Sequence, residues 1–149
     1  MTGTCSSSTT RLLASNTPQN LTDGSLPGDT HLHGLRCRWT LCASSGNMGV
    51  HLAFTRMHLE SCCDRLYVYN GNTSTSLQLG VFTGSTLPAN VTSFGQCVHL
   101  YFQTDYSVAG TGWALMYRQA VPVTRAPSPA PTPAPTRGCA LSRSACVRA

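Results

Sequence analysis

Hydrophobic and polar residues alternate along the middle of the chain, from about residue 35 to residue 118. In segment 36–41, Cys37, Trp39 and Leu41 alternate with two arginines and a threonine. A period of two is the pattern of a β-strand with one buried face. No segment shows the period of an amphipathic helix. The pattern therefore predicts a chain built from strands.

The same alternation recurs in later segments, with turn signals at Asn70-Gly71, Thr83-Gly84 and segment 110–112. The apolar face shifts by one residue between Phe54 and Met57, which predicts a β-bulge or bend near Thr55 and Arg56. A strand is also predicted from Leu77 to Phe82. The predicted inward side chains are Val50, Leu52, Phe54, Leu66, Val68, Val98, Leu100, Phe102, Trp113, Leu115 and Tyr117.

Many short strands without a crossover helix favour an all-β fold, an antiparallel β-sandwich, because antiparallel strands need only short turns between them. We predict one such domain over residues 20–119. Residues 1–19 are predicted to be a flexible lead-in unless Cys5 ties them to the domain. Residues 120–137 are rich in Pro, Thr and Ser and predict a disordered linker. Residues 138–149 form a tail of unknown role that contains Cys139 and Cys146.

The eight cysteines and low charge of a short chain indicate an oxidising compartment. Asn20, Asn72 and Asn90 each begin an acceptor triplet for N-glycosylation, which agrees with export. No signal peptide is visible in the first fifteen residues, and no later segment is apolar enough to insert into a membrane. We predict a fragment of a secreted protein or of a membrane protein's ectodomain, or a chain whose start is misassigned.

The formal net charge of +5 does not by itself predict nucleic-acid binding. Between Asn20 and Gln119, five arginines balance five acidic residues, and the excess lies in the terminal segments. These scattered arginines lack the interleaved aromatic residues of a phosphate-binding groove. The sequence therefore predicts no nucleic-acid partner.

Five blocks of sequence occur in order, at segments 37–41, 64–71, 79–84, 102–107 and 112–117. Segment 64–71, Asp-Arg-Leu-Tyr-Val-Tyr-Asn-Gly, resembles the Asp-x-Leu-x-Val-Tyr-Asp-Gly strand and turn of the CUB domain family. Segments 37–41 and 79–84 resemble its Cys-x-Trp-x-Ile and Leu-Gly-x-Phe-Cys-Gly blocks. Segments 102–107 and 112–117 resemble its two closing blocks. Segment 21–25 and the short interval from Glu60 to Asp64 are similar to the attractin and multiple-EGF-like subgroup.

The resemblance implies a disulfide-linked, jelly-roll β-sandwich whose first disulfide joins Cys5 to Cys37. The family's second disulfide needs a cysteine where this chain has Thr83. Cys62 or Cys63 must therefore find another partner or stay reduced, and Cys97, absent from the family pattern, is the natural candidate for that partner. The four remaining cysteines of the domain, which include Cys42, allow three pairings, and the sequence leaves them open.

The resemblance also implies a Ca²⁺ site formed by Glu60, Asp64 and Asp105. Calcium prefers about six to eight oxygen ligands, and carboxylates supply them. Loops ordered by the ion would meet a basic side chain of an extracellular protein ligand, with Tyr67, Tyr106 and Ser107 at the contact. The alternative is that the three acids are surface groups paired with Arg56 or Arg65. In the same way, Tyr67 and Tyr69 can be ordinary cross-strand packing partners.

Zinc is a further alternative, bound by Cys37, Cys42, Cys62, Cys63 and His58, but these residues lack the paired Cys-x-x-Cys spacing of zinc sites.

No motif of a catalytic nucleophile, metalloprotease or phosphate loop is present, so the sequence predicts no enzyme. His51 and His99 are predicted to be solvated on outward strand faces.

The sequence thus predicts an extracellular CUB-type module that recognises a protein, or a carbohydrate, in a calcium-dependent manner. The alternative function is a degenerate CUB domain that acts as a structural spacer within a larger secreted or membrane-attached protein or protease. A gain in thermal stability on addition of Ca²⁺ would favour the binding module, and no gain would favour the spacer.

Overall fold

The computed structural model of this protein describes residues 5–124, which form nine β-strands and no helix. The first four residues of the predicted lead-in, most of the predicted linker, and the tail with Cys139 and Cys146 lie outside these residues. Within residues 5–124, no helix is long and apolar enough to span a membrane. The strands, in chain order, are β1 Thr9–Ala14, β2 Gln19–Thr22, β3 Arg36–Ala43, β4 Gly49–His58, β5 Arg65–Asn70, β6 Leu77–Phe82, β7 Val91–Thr92, β8 Cys97–Gln103 and β9 Gly112–Ala120.

The strands form two sheets whose inner faces share one core. The first sheet has the order β1-β3-β8-β5-β6, and the second has the order β2-β9-β4-β7. Trp39 of the first sheet meets Trp113 of the second edge to face, with ring centroids 5.3 Å apart. Phe102 packs edge-on against the same Trp113 at 5.9 Å. These contacts confirm the predicted β-sandwich, because such aromatic pairs stabilise a core beyond their buried area.

All of the predicted inward side chains are buried. The predicted bulge is also confirmed, since the pairing of β4 with β9 shifts register between Phe54 and Arg56. The extra residue lets Met57 and Leu59 take over the buried face. Alternation therefore located strands β3 to β6, β8 and β9 and the irregularity in β4, the longest of them, but not β1 or β2.

The domain begins before the predicted boundary at residue 20, because β1 lies inside the predicted lead-in. The stated condition, that Cys5 ties this segment to the domain, is met by the Cys5–Cys37 disulfide. Strand β1 pairs with β3, and Leu12 and Ala14 pack against the core. This pair is parallel, whereas every other pair of strands in residues 5–124 is antiparallel. No helix is needed to make the parallel connection, since the chain crosses to the other sheet as β2 before it returns as β3. The domain therefore includes residues that we had assigned to the lead-in.

The structure has three disulfides among residues 5–124, and only the first is the one that the family resemblance implied. Cys5 is joined to Cys37, the pair that the resemblance implied. Cys97 is joined to Cys42, not to Cys62 or Cys63 as we expected, and the last two are joined to each other. The reason is the pairing of β3 with β8, which places Cys42 directly opposite Cys97.

The prediction that His99 is solvated is also wrong. This side chain is 3% exposed, and its Nδ1 lies 3.0 Å from the Thr40 hydroxyl on the neighbouring strand. Burial, and to a lesser degree the charge of Arg38, lower the pKa of His99. His51, in contrast, is only partly buried and contacts the Thr92 hydroxyl.

The three predicted glycosylation acceptors, Asn20, Asn72 and Asn90, are all exposed. Exposure is what the modification requires, and glycosylation itself stays a prediction.

Candidate metal centre

Two loops at one edge of the five-stranded sheet bring the three predicted metal ligands together. Glu60 and Asp64 lie between β4 and β5, and Asp105 follows β8. Strands β5 and β8 are antiparallel neighbours with Arg65 opposite Gln103, so the start of one meets the end of the other. One carboxylate oxygen from each of the three acids lies within 4.8 Å of the other two. The sheet register therefore forms the acidic cluster.

Asp64 is the buried centre of this cluster, and its side chain connects the two loops. Its Oδ2 accepts a hydrogen bond from the Glu60 amide at 3.3 Å, and its Oδ1 accepts one from the Asp105 amide at 3.3 Å. Both backbone groups thus point toward a single carboxylate. Loss of that side chain would leave two amide groups that need another acceptor.

His31 is a member of the site that sequence reasoning missed. Its Nε2 lies 3.0 Å from Asp64 Oδ2 and 3.1 Å from the Gly110 amide nitrogen, and its Nδ1 lies 3.0 Å from the Leu32 carbonyl. The ring is buried and packs edge-on against Phe102 at 5.8 Å. A histidine so far along the chain from Asp64, in no motif, gave no signal of this contact.

Ser107 joins the two partly exposed acids. Its hydroxyl lies 2.8 Å from Glu60 Oε2 and 2.8 Å from Asp105 Oδ1, and its amide donates to Asp105 Oδ1 at 2.8 Å. The hydrogen bonds from the Ser107 amide and hydroxyl hold the pKa of Asp105 below its ordinary value, with a smaller contribution from His33. Asp105 therefore keeps its negative charge at any physiological pH.

The three predicted ligand-contact residues occupy different positions. Ser107 lies within the cluster, as described above. Tyr106 is 87% exposed beside it, and its ring lies so close to Gly34 that a Cβ there would come within 2.6 Å of it. Tyr67 lies on the outer face of β5, stacked between Tyr69 and Tyr101, and belongs to a separate surface.

The ion-pair alternative does not describe these acids. Arg56 lies 3.7 Å from Asp23. Within residues 5–124, Arg65 has no carboxylate within ion-pair distance, and His31 is the only basic side chain within that distance of the cluster. Three carboxylates at this separation repel one another unless a cation or a proton intervenes.

The donor atoms fit a hard cation such as Ca²⁺, because the cluster offers carboxylate oxygens. The zinc alternative fails, since Cys37, Cys42, Cys62 and Cys63 are all in disulfides and cannot act as thiolates. The ring of His58 is also used elsewhere, where its Nδ1 lies 3.1 Å from the Thr111 amide nitrogen.

Comparison with curated proteins finds relatives that contain this kind of domain. Human cubilin is 35% identical over 89 residues, which is 57% of this chain and 2% of cubilin. Rat procollagen C-endopeptidase enhancer 1 is 33% identical over 118 residues, which is 73% of this chain and 25% of the enhancer. The chain thus spans only a small part of each relative.

Solved structures share the same fold. The crystal structure of the MASP-1 CUB2 domain bound to Ca²⁺ matches with a TM-score of 0.58 and 23% identity, over 71% of this chain and 96% of that one. The family model described as CUB domain matches residues 9–117. This range begins at β1, which agrees with the corrected domain boundary. Because the family model covers most of its length and its fold matches that of a solved CUB domain, the chain belongs to the CUB domain family.

Proposed function

We propose that this CUB domain is an extracellular binding module that holds Ca²⁺ through Glu60, Asp64 and Asp105 and recognises a protein ligand with the loops that carry them. The observation that supports the proposal most strongly is the convergence of three carboxylates within 4.8 Å without a neutralising arginine among residues 5–124. A divalent cation would neutralise their repulsion and link the β4–β5 loop to the β8–β9 loop.

The three carboxylates differ in burial, and this difference suits the two parts of the proposed function, which are to position the loops and to contact the ligand. Asp64 is fully buried and already bonded to both loops, so its role is to position them. Glu60 and Asp105 are partly exposed. Their outer oxygens, together with the Ser107 hydroxyl, are therefore accessible acceptors for an arginine or lysine of a ligand. The exposed Tyr106 ring borders the same surface and offers an apolar contact to the stem of such a side chain.

The proposal is tested by thermal unfolding of the oxidised, secreted chain in EDTA and in Ca²⁺. Binding to the folded state alone at 100 times the dissociation constant stabilises a protein by about 2.7 kcal/mol. For a domain of this size, that corresponds to a rise in Tm of about 10 °C. We expect this rise in the wild-type chain and its absence in Asp105→Ala.

Asp29→Ala is the matched control, because Asp29 is an exposed acid in another loop and its loss changes the net charge equally. It should retain the calcium-dependent rise. A rise of equal size in Asp105→Ala would show that any bound calcium lies elsewhere. No rise in the wild-type chain would favour the structural spacer.

A further inference from the structure

The strand register assembles a basic and aromatic surface on the outer face of the five-stranded sheet. Side chains of directly paired residues lie on the same face of a sheet, about 4.8 Å apart. Arg36, Gln103 and Arg65 form one such row across β3, β8 and β5, and Arg38, Tyr101 and Tyr67 form the next row. We call this outer surface the arginine-tyrosine face; it consists of Arg11, Arg36, Arg38, Arg65, Tyr67, Tyr69, Tyr101 and Gln103.

Charge is strongly segregated between this face and the loops. Four of the six arginines in residues 5–124 lie on the face. All five acidic residues of the chain lie outside the strands, in loops. No carboxylate among residues 5–124 lies within 4.0 Å of an arginine of this face. The guanidinium groups of Arg36 and Arg65 therefore have no carboxylate partner within this range and can bind an anionic one.

The aromatic side chains of the face pack against one another. Tyr67 stacks on Tyr69 with centroids 6.3 Å apart and on Tyr101 with centroids 5.8 Å apart. The Arg38 guanidinium covers the Tyr101 ring at 4.8 Å and donates to the Ser7 carbonyl. Since the ring faces are occupied by one another and by Arg38, an incoming ligand meets ring edges, hydroxyl groups and guanidinium groups.

We propose that the arginine-tyrosine face binds a sulfated polysaccharide. Sulfate groups accept paired hydrogen bonds from planar guanidinium groups, which is the geometry that arginine recognises best. Arg36 and Arg65 lie two strands apart, about 10 Å across the sheet. With this spacing, the two guanidinium groups can bind successive charged groups along an extended polymer. The disulfides place the domain in an oxidising compartment, where sulfated polysaccharides are the abundant linear polyanions.

The test measures binding of the full chain to heparin in EDTA at about 0.15 M salt, where exposed charges more than about 8 Å apart are screened. The absence of calcium makes the result independent of the proposed metal site. We expect the double variant Arg36→Gln/Arg65→Gln to bind at least about tenfold more weakly than wild type, a loss equivalent to ~1.4 kcal/mol. The control Arg56→Gln/Arg118→Gln removes the same charge from the four-stranded sheet and should change binding less than about twofold.

A second variant tests the hydroxyl groups without altering the stack. Tyr67→Phe keeps the ring and removes only the hydroxyl, so it should weaken binding while the unfolding temperature stays unchanged. Equal losses in the two double variants would overturn the proposal, because binding would then follow net charge alone. Equal binding to desulfated heparin or to polyglutamate would also overturn it, because neither polymer carries sulfate.

Discussion

Replacement of Asp64 by asparagine tests whether this buried carboxylate organises the two loops. The carboxylate accepts hydrogen bonds from the amides of Glu60 and Asp105 and contacts the His31 ring. An asparagine side chain has one acceptor oxygen, and its amide nitrogen is a donor. At least one of the two backbone amides would therefore face another donor inside a site that excludes water.

The expected loss in the free energy of unfolding follows from these hydrogen bonds. A hydrogen bond to a charged group contributes about 1.5–3 kcal/mol, and a buried donor left without an acceptor costs about 1–3 kcal/mol. We expect Asp64→Asn to lower the free energy of unfolding by about 3 kcal/mol, which corresponds to a fall in Tm of about 12 °C for this domain.

Thermal or urea unfolding in EDTA is the appropriate assay, because it isolates the hydrogen bonds from any metal. Glu60→Gln and Asp105→Asn are the matched controls, since both remove one charge from the same cluster at partly exposed positions. They should change stability by less than about 1 kcal/mol. If Asp64→Asn were as stable as wild type in EDTA, the reasoning that Asp64 holds the loops together would be refuted.

Three further predictions concern the rest of the domain. The lowered pKa of His99 predicts that its contribution to stability is present above pH 6.5 and is lost as pH falls through its folded value; His99→Gln should therefore lose less stability than wild type between pH 7 and pH 5 in urea unfolding. Removal of the Cys42–Cys97 disulfide, which closes a loop with a sequence separation of 55, should cost about 4 kcal/mol by the same method. Thr83 donates its hydroxyl to the carbonyls of Glu60 and Ser61; Thr83→Val should cost about 1 kcal/mol and weaken calcium binding less than Asp105→Ala does.

Much of the fold was predictable because burial leaves a local signature in a strand. Alternation located the inward faces and the slip near Arg56, and both are confirmed. Strand β1 was missed because its two adjacent leucines, Leu12 and Leu13, hide the alternation. Only Leu12 packs against the core, while Leu13 is 67% exposed.

The remaining features depend on which strands become neighbours, and one sequence read along its length does not contain that information directly. The Cys42–Cys97 bond follows from the pairing of β3 with β8. The burial of His99 between Thr40 and Tyr69 has the same origin. The three acids were found through resemblance to the CUB family, and His31, which has no place in the quoted motifs, was not. The arginine-tyrosine face was missed because its members are far apart in sequence and meet only across four strands.

The central claim, that the acidic cluster binds Ca²⁺, is tested most directly by equilibrium dialysis of the oxidised chain against radioactive calcium at concentrations around 1 mM, in the range of weak extracellular sites. The account predicts one bound ion per chain, because one cluster of three carboxylates is present in residues 5–124. Binding should disappear in Asp105→Ala and persist in Asp29→Ala. Absence of bound calcium in the wild-type chain, or equal binding by wild type and Asp105→Ala, would contradict the account.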